Sequence, residues 1–97
     1  MTTPTTSFFV TTSTQACELV PKDDKRRVIR ILPPAAPQMR FAIDEDWAEI
    51  AWSRAYKWPP MPTGYWFDVP LEPGQFISVV ADTAGQAPIS VICIYRD

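Results

Sequence analysis

Histidine is absent from this chain of 97 residues, and that absence excludes most catalytic chemistry. Histidine is the most common general base and metal ligand, and it is the usual partner of a nucleophilic serine or cysteine. No Gly-rich loop of the kind that cradles phosphate accompanies the basic residues. The sequence therefore predicts a protein that is not an enzyme and that carries no cofactor.

Glycine is scarce, with three residues against eleven prolines, and charge of one sign is not in excess. Proline is confined to strand ends, edges, turns and helix starts, so long helices are not expected. A formal net charge of -2 gives no general attraction to nucleic acid or to an anionic membrane. No apolar run approaches the roughly 20 residues that span a bilayer, and the Thr-rich start lacks the layout of a signal peptide. We expect a protein made and kept in a cytoplasm, with neither nucleic acid nor membrane as a partner.

The residues that are present have the balance of one small globular domain. Hydrophobic residues make up 46% and charged residues 21%, and the chain is too short for two independent cores. We predict an N-terminal arm over residues 1–13 and a single β domain over residues 14–97. The arm carries Phe8, Phe9 and Val10, and it is either plain terminal disorder or a segment that pairs with a neighbouring subunit at a sheet edge.

Alternating apolar residues predict a sheet protein. Residues 26–32 carry apolar side chains on both faces, which is typical of a central strand. Residues 38–44 form the clearest half-buried strand, with Met39, Phe41 and Ile43 on one face. A Pro- and Gly-rich turn at residues 72–75 connects one predicted strand to the next. The fold class predicted is all-β, a small antiparallel β-sandwich or barrel of about six to eight strands.

Residues 44–62 form a Trp- and Pro-rich insertion whose structure the sequence leaves open. Asp46 with Glu49 fits a capping box, and Trp47, Ile50 and Trp58 recur at roughly helical spacing, which favours a short helix. An alternating set in the same segment fits a strand equally well, namely Ala48, Ile50, Trp52, Arg54, Tyr56 and Trp58. Both interpretations stand at this point.

Two cysteines and two clusters of charge have structural explanations. A disulfide between Cys17 and Cys93 is geometrically conceivable, but free thiols are expected in a chain without an export signal. The carboxylates at 44–46 lack the spaced ligands and the glycine of a calcium loop, so we expect a solvated helix start and no metal site. We expect ion pairs or a protein contact from the basic cluster of Lys22, Lys25, Arg26, Arg27 and Arg30.

Aromatic residues crowd the second half of the chain, next to Arg54 and Lys57. Trp, Tyr and Arg are enriched where interfaces carry most of their binding energy. One interpretation is a core with a Trp-rich flap over one sheet face. The other is a contact surface for protein, or for glycan with Glu49 or Asp68 nearby. The predicted partner-binding residues are Phe8, Phe9, Val10, Trp47, Trp52, Tyr56 and Trp58.

The order of several short motifs resembles that of a known group of proteins. The motifs are Leu19-Val20-Pro21, Arg26-Arg27-Val28-Ile29-Arg30-Ile31, Leu71-Glu72-Pro73-Gly74-Gln75 and Ala87-Pro88-Ile89-Ser90-Val91-Ile92. Together they resemble small β-sandwich proteins of tailed bacteriophage virions. The chain departs from that pattern at Pro33 and Pro34, where an Asn-containing turn is usual, and in the Trp-rich insertion.

The resemblance implies a capsid decoration, or cement, protein that binds the outer surface of the major capsid shell and stabilises it. Its implied partners are the major capsid protein and copies of itself, as a dimer or trimer, and its implied location is the capsid surface of the virion. Two alternatives remain. One is a head-tail connector, tail or fibre-base component, and the other is a small carbohydrate-binding module.

Overall fold

A computed structural model describes residues 5–11, 13–36, 38–45, 50–83 and 88–96. These residues form strands in two antiparallel sheets, which confirms the predicted all-β fold. The strands are β1 (Thr5–Val10), β2 (Cys17–Val20), β3 (Arg26–Leu32), β4 (Met39–Ile43), β5 (Phe67–Leu71), β6 (Ile77–Ala81) and β7 (Ile89–Arg96). In the described part of the connection between β4 and β5 there is one 3₁₀ turn, Trp52–Arg54.

The odd-numbered strands form one sheet and the even-numbered strands form the other. One sheet has four strands in the order β1-β7-β3-β5, and the other has three in the order β2-β6-β4. Strands that follow one another in the chain therefore lie in different sheets, and each connection crosses from one layer to the other. As predicted, β3 is central, because it pairs with β7 on one side and β5 on the other.

The core lies between the two sheets. From the four-stranded sheet it receives alternate side chains such as Ile29 and Ile31 of β3 and Val91 of β7, all buried. Every residue of β6 is buried, so the three-stranded sheet is covered on both of its faces. Two-layer packing with one shared core is the usual way for a small β domain to remove its apolar faces from water.

Strand β4 differs from its predicted pattern at two positions. Met39 and Phe41 face the core as expected, but Ile43 is 37% exposed and Ala42, predicted to face outward, is buried. Ala42 lies opposite Ser78, whose hydroxyl donates to the carbonyl of Glu45 at 3.1 Å. The chain that leaves β4 therefore bonds to the outer face of the sheet beside Ala42.

Regular structure begins earlier than the sequence predicts. Within the range 1–13 predicted as an arm, β1 pairs with β7 from Thr5 opposite Ile94 to Val10 opposite Ile89. Phe8 and Val10 pack against the core, whereas Phe9 points away from it. Because β1 pairs with β7 alone among the described strands, it is an edge strand of the domain's own sheet.

Both cysteines are free thiols. Cys93 is buried in β7 and Cys17 is half-buried in β2, where burial raises the pKa of its thiol. They contribute to the core as small apolar side chains.

Candidate functional site

The Trp- and Pro-rich insertion contains a segment, residues 50–61, that we call the strap. At its start it pairs with the chain just before β2. The amide of Ala16 donates to the carbonyl of Ile50 at 2.7 Å, and the amide of Trp52 donates to the carbonyl of Thr14 at 2.9 Å. The strap thus begins at one edge of the three-stranded sheet.

The strap ends at the opposite edge of the same sheet. The amide of Phe41 donates to the carbonyl of Pro59 at 3.1 Å, and the amide of Met61 donates to the carbonyl of Met39 at 2.9 Å. Between these two anchors the strap crosses the outer face of the sheet. The domain therefore closes both edges of this sheet with its own backbone.

A second, smaller apolar cluster lies beneath the strap. Ala55 of the strap is fully buried against Val80 of β6 and Ala16, and the side chains of Trp52 and Trp58 pack against them, half-buried. Of the predicted contact residues, these two tryptophans are thus engaged within the domain, as the interpretation of a Trp-rich flap expects. Tyr56 is 70% exposed.

The described part of the insertion is neither the predicted helix nor the alternative strand. It contains one 3₁₀ turn, flanked by isolated bridges between Gln15 and Ala51 and between Arg40 and Pro60. Trp47 and the capping-box pair lie outside the described residues. Proline at 59, 60 and 62 removes the backbone donors that either regular structure needs.

Arg40 and Trp52 form one wall of a groove between β4 and the strap. The guanidinium carbon of Arg40 lies 4.3 Å from the ring centroid of Trp52, which is a close cation–π arrangement. The groove has a volume of about 270 Å³ and is lined by Gln38, Met39, Arg40, Trp52, Pro60, Met61 and Thr63. It offers a charged donor beside apolar surface, and no catalytic pair.

The outer face of the four-stranded sheet is not covered by any described residue, and it carries both apolar and charged side chains. Its central strands present side chains that are half-buried and that lie outside both apolar clusters, namely Val28, Leu32, Ile92 and Ile94. Among the described residues no strand and no helical turn packs over them. Arg30 and Asp68 form an ion pair of 3.0 Å on this face, between neighbouring strands and about half exposed.

Exposed aromatic side chains stand at both edges of this sheet. Phe9 in β1 is 73% exposed, and Trp66, which directly precedes β5, is 45% exposed. Tyr65 beside it is 60% exposed. The predicted partner-binding residues included Phe9 but left out Trp66.

The charged residues near the β2–β3 loop are engaged in structural contacts. Arg27 is buried, and its guanidinium donates to the carbonyls of Pro21 at 2.9 Å and Gln75 at 2.7 Å. Arg26 pairs with Glu72 at 3.2 Å on the surface. The sequence prediction of ion pairs is confirmed for Arg26 and Arg30, but it did not anticipate that Arg27 is buried.

The predicted absence of a metal site concerns the carboxylates at 44–46. Asp44 accepts hydrogen bonds from the amide of Phe76 at 3.1 Å and from the side chain of Gln75 at 3.2 Å, so it fixes the turn before β6. In the described ranges no group of three or more potential ligands is arranged to hold a metal ion. Asp46 lies outside those ranges.

None of the helical structure in the described residues is long and apolar enough to cross a membrane.

No protein-family model, no curated protein and no solved structure matches this chain. The likeness to phage virion proteins therefore stays a prediction from sequence motifs. The two outer faces of the sandwich differ, because the strap covers one of them and no described residue covers the other.

Proposed function

We propose that this protein is a non-enzymatic structural protein of a virion, a capsid decoration protein that binds the outer surface of the major capsid shell. The observation that carries the proposal is the group of half-buried apolar side chains on the outer face of the four-stranded sheet, which no described residue covers. The chain covers the three-stranded sheet with its own strap, yet it leaves Val28 and Ile92 of the other sheet in partial contact with water. Apolar side chains that lie together on an open face favour a site of protein interaction.

The size of the open face favours many weak contacts over one strong contact. Four strands about 4.8 Å apart and about 20 Å long present roughly 400 Å². A stable complex of two proteins buries about 800 Å² on each partner, so this face alone supplies about half of that. On a capsid, each copy is held by surfaces already fixed in place, and symmetry multiplies a modest contact.

The positions of the predicted contact residues fit a clamp between neighbouring subunits. Phe9 belongs to the four-stranded sheet, whereas Tyr56 lies on the strap that covers the other sheet. The two sheets pack face to face, so these exposed aromatic side chains lie on opposite layers of the sandwich. One molecule can therefore contact two capsid subunits at once.

The test is co-sedimentation of the purified protein with capsids stripped of it, with occupancy measured per major capsid subunit. We expect saturation at hundreds of copies in a symmetric pattern. Ile92→Lys places a second positive charge opposite Arg30 in the centre of the open face and should lower occupancy at least tenfold, because a buried unpaired charge opposes docking. Tyr56→Glu tests the strap side separately, and thermal unfolding verifies that each variant is folded.

Three outcomes would contradict the proposal. Absence of binding to the shell removes the decoration role, and binding that neither variant weakens removes the two surfaces from it. Binding at a single vertex moves the protein to the connector, tail or fibre base.

One observation favours a second candidate, a small carbohydrate-binding module. Tyr65 and Trp66 are adjacent and exposed, and the carboxylate of Asp68 lies two positions further along the chain. Sugars stack on exposed aromatic rings and bond to neighbouring carboxylates. Titration of the protein with a panel of glycans should change tryptophan fluorescence if this function holds, and Trp66→Ala should abolish the change.

A further inference from the structure

We propose that strand β1 pairs antiparallel with β1 of a second copy of this chain, joining two four-stranded sheets into one sheet of eight strands. This pairing requires only a free sheet edge and does not depend on a role in a virion. The four sheet edges of the sandwich differ in how well they are protected. An unprotected edge offers backbone donors and acceptors to any extended chain, and natural proteins usually block such edges.

Strand β5, the opposite edge of the four-stranded sheet, is blocked by its own sequence. Pro70 has no backbone donor, and Asp68 places a charge in the strand. Both are recognised means of preventing a further strand from pairing.

The two edges of the three-stranded sheet are blocked by shape and by cover. Strand β2 has four residues, carries the charge of Glu18 and shifts register between Glu18 and Val20. Strand β4 is hydrogen-bonded along its edge to the strap, through Phe41 with Pro59 and through Met39 with Met61. Neither edge offers a straight strand whose backbone groups are free to pair with a further strand.

Strand β1 has none of these protections. It pairs with β7 over six residues without a shift of register. It contains no proline and no charged residue, and Glu18 is the first charged residue of the whole chain. Among the described residues no element pairs with its other side. Of the four edges in the described chain, this is the one that is free to accept a strand.

The uncharged sequence of β1 favours a second copy as the occupant. Two identical strands meet about a two-fold axis, so every contact is made twice, and no like charges oppose the approach. The 73% exposure of Phe9 in this strand is then explained, because its ring lies beside the neighbouring copy. Pairing also doubles the open face from roughly 400 to about 800 Å², the area that a stable interface takes from each partner.

The dimer should be weak and reversible. Pairing of two six-residue strands buries less than the roughly 1,200 Å² at which stable protein complexes begin. Its population should therefore rise steeply with protein concentration.

The test is sedimentation velocity of the full chain over a wide range of concentrations. Wild type should shift from monomer to dimer as concentration increases. Phe9→Lys should remain monomeric, because it places a charge on the edge strand of each copy, and an edge lysine opposes the pairing of a further strand. Tyr56→Lys is the matched control, since Tyr56 is 70% exposed on the strap, and it should dimerise as wild type does.

Hydrogen exchange gives a second and independent readout. The backbone amides of β1 should become more protected as concentration rises, whereas the amides of β5 should not. A wild type that is monomeric at every concentration overturns the proposal. Equal dimerisation of wild type and Phe9→Lys, with unchanged protection of β1, also overturns it and places the interface elsewhere.

Discussion

The hydroxyl of Tyr95 donates a hydrogen bond of 3.0 Å to the carboxylate of Asp23 and so ties β7 to the loop between β2 and β3. The same aspartate accepts a bond from the amide of Lys25 at 3.0 Å, and its carbonyl accepts one from the amide of Gly74 at 2.7 Å. With Arg27 close by, these bonds connect the loops at one end of the sandwich.

This bond predicts a loss of stability in alkali. The hydrogen bond to Asp23, together with burial, raises the pKa of Tyr95 to about 12, above the usual value of about 10. The folded state therefore holds the phenol proton more tightly, so the contribution is complete below about pH 10 and is lost as pH rises to about 12. Tyr95→Phe should remove both this loss and the tyrosinate absorbance step near pH 12. Tyr65→Phe should leave that step in place, and a step that persists in Tyr95→Phe would contradict the assignment.

In acid, the same hydrogen bond has the opposite effect on the pH dependence of stability, because here Asp23 takes up the proton. Partial burial acts to raise the pKa of Asp23, but hydrogen bonds from Tyr95 and from the amide of Lys25 outweigh it and hold that pKa below its usual range. The stabilisation is present above the ordinary carboxyl pKa and is lost as pH falls through the lowered value. Asp23→Asn should flatten the acid limb of the stability curve measured by urea unfolding. An acid limb as steep as that of wild type would contradict this role.

Two adjacent arginines should differ sharply in their effect on stability. Arg27→Ala leaves two loop carbonyls without their donor and empties a buried site, so we expect a loss of about 3 kcal/mol in the free energy of unfolding. Arg26→Ala breaks an ion pair whose side chains are more than half exposed, and it should cost less than about 1 kcal/mol. Chemical denaturation measures both. Similar losses for the two variants would mean that the bonds of Arg27 do not hold the loops.

Substitution of Trp58 should lower stability more than substitution of Trp66. Trp58→Ala removes a side chain that packs against the cluster beneath the strap, and it should lower the free energy of unfolding by about 2 kcal/mol. Trp66 is 45% exposed and lies outside both apolar clusters, so Trp66→Ala should cost less than about 1 kcal/mol. Thermal and urea unfolding of the two variants make the comparison. A larger loss for Trp66→Ala would show that the strap contributes less packing than its contacts indicate.

Gly74 should be required for its backbone conformation alone. Its φ of 86° lies in the left-handed region, and a Cβ at this position would meet no atom within 4 Å. Gly74→Ala should therefore cost about 1 kcal/mol of backbone strain without any clash. Gly74→Asn should cost less, because asparagine tolerates this region better. Equal losses for the two variants would contradict an origin in backbone strain.

The sequence predicted the parts of the fold that depend on local alternation. Strand β3 was predicted with the bounds that the structure shows, because apolar residues alternate on both faces and Pro33 ends the run. Strand β1 was missed since its first half is Thr- and Ser-rich, and its pairing depends on β7 at the far end of the sequence. Local periodicity does not reveal such distant pairing.

The candidate site was predicted only in part, for a related reason. The edges of the three-stranded sheet are closed by the carbonyls of Ile50 and Pro59, and backbone groups leave no signature in the choice of side chain. The burial of Arg27 depends on Pro21 and Gln75, which come together only in the folded domain. The aromatic residues were recognised as a group, but their composition does not tell which pack inward.

The alternation of strands between the two sheets has a consequence for the order of folding. The paired strand residues closest in sequence are Ile43 of β4 and Ile77 of β6, so neither sheet contains a local hairpin from which folding could start. Strand β7 lies between β1 and β3, so β1 has no partner until β7 is made, whereas β3 can pair first with β5. During synthesis the four-stranded sheet cannot close until residues 89–96 have left the ribosome. The domain should therefore fold slowly, as proteins dominated by distant contacts do, with the free edge of β1 exposed to chaperones until β7 is made.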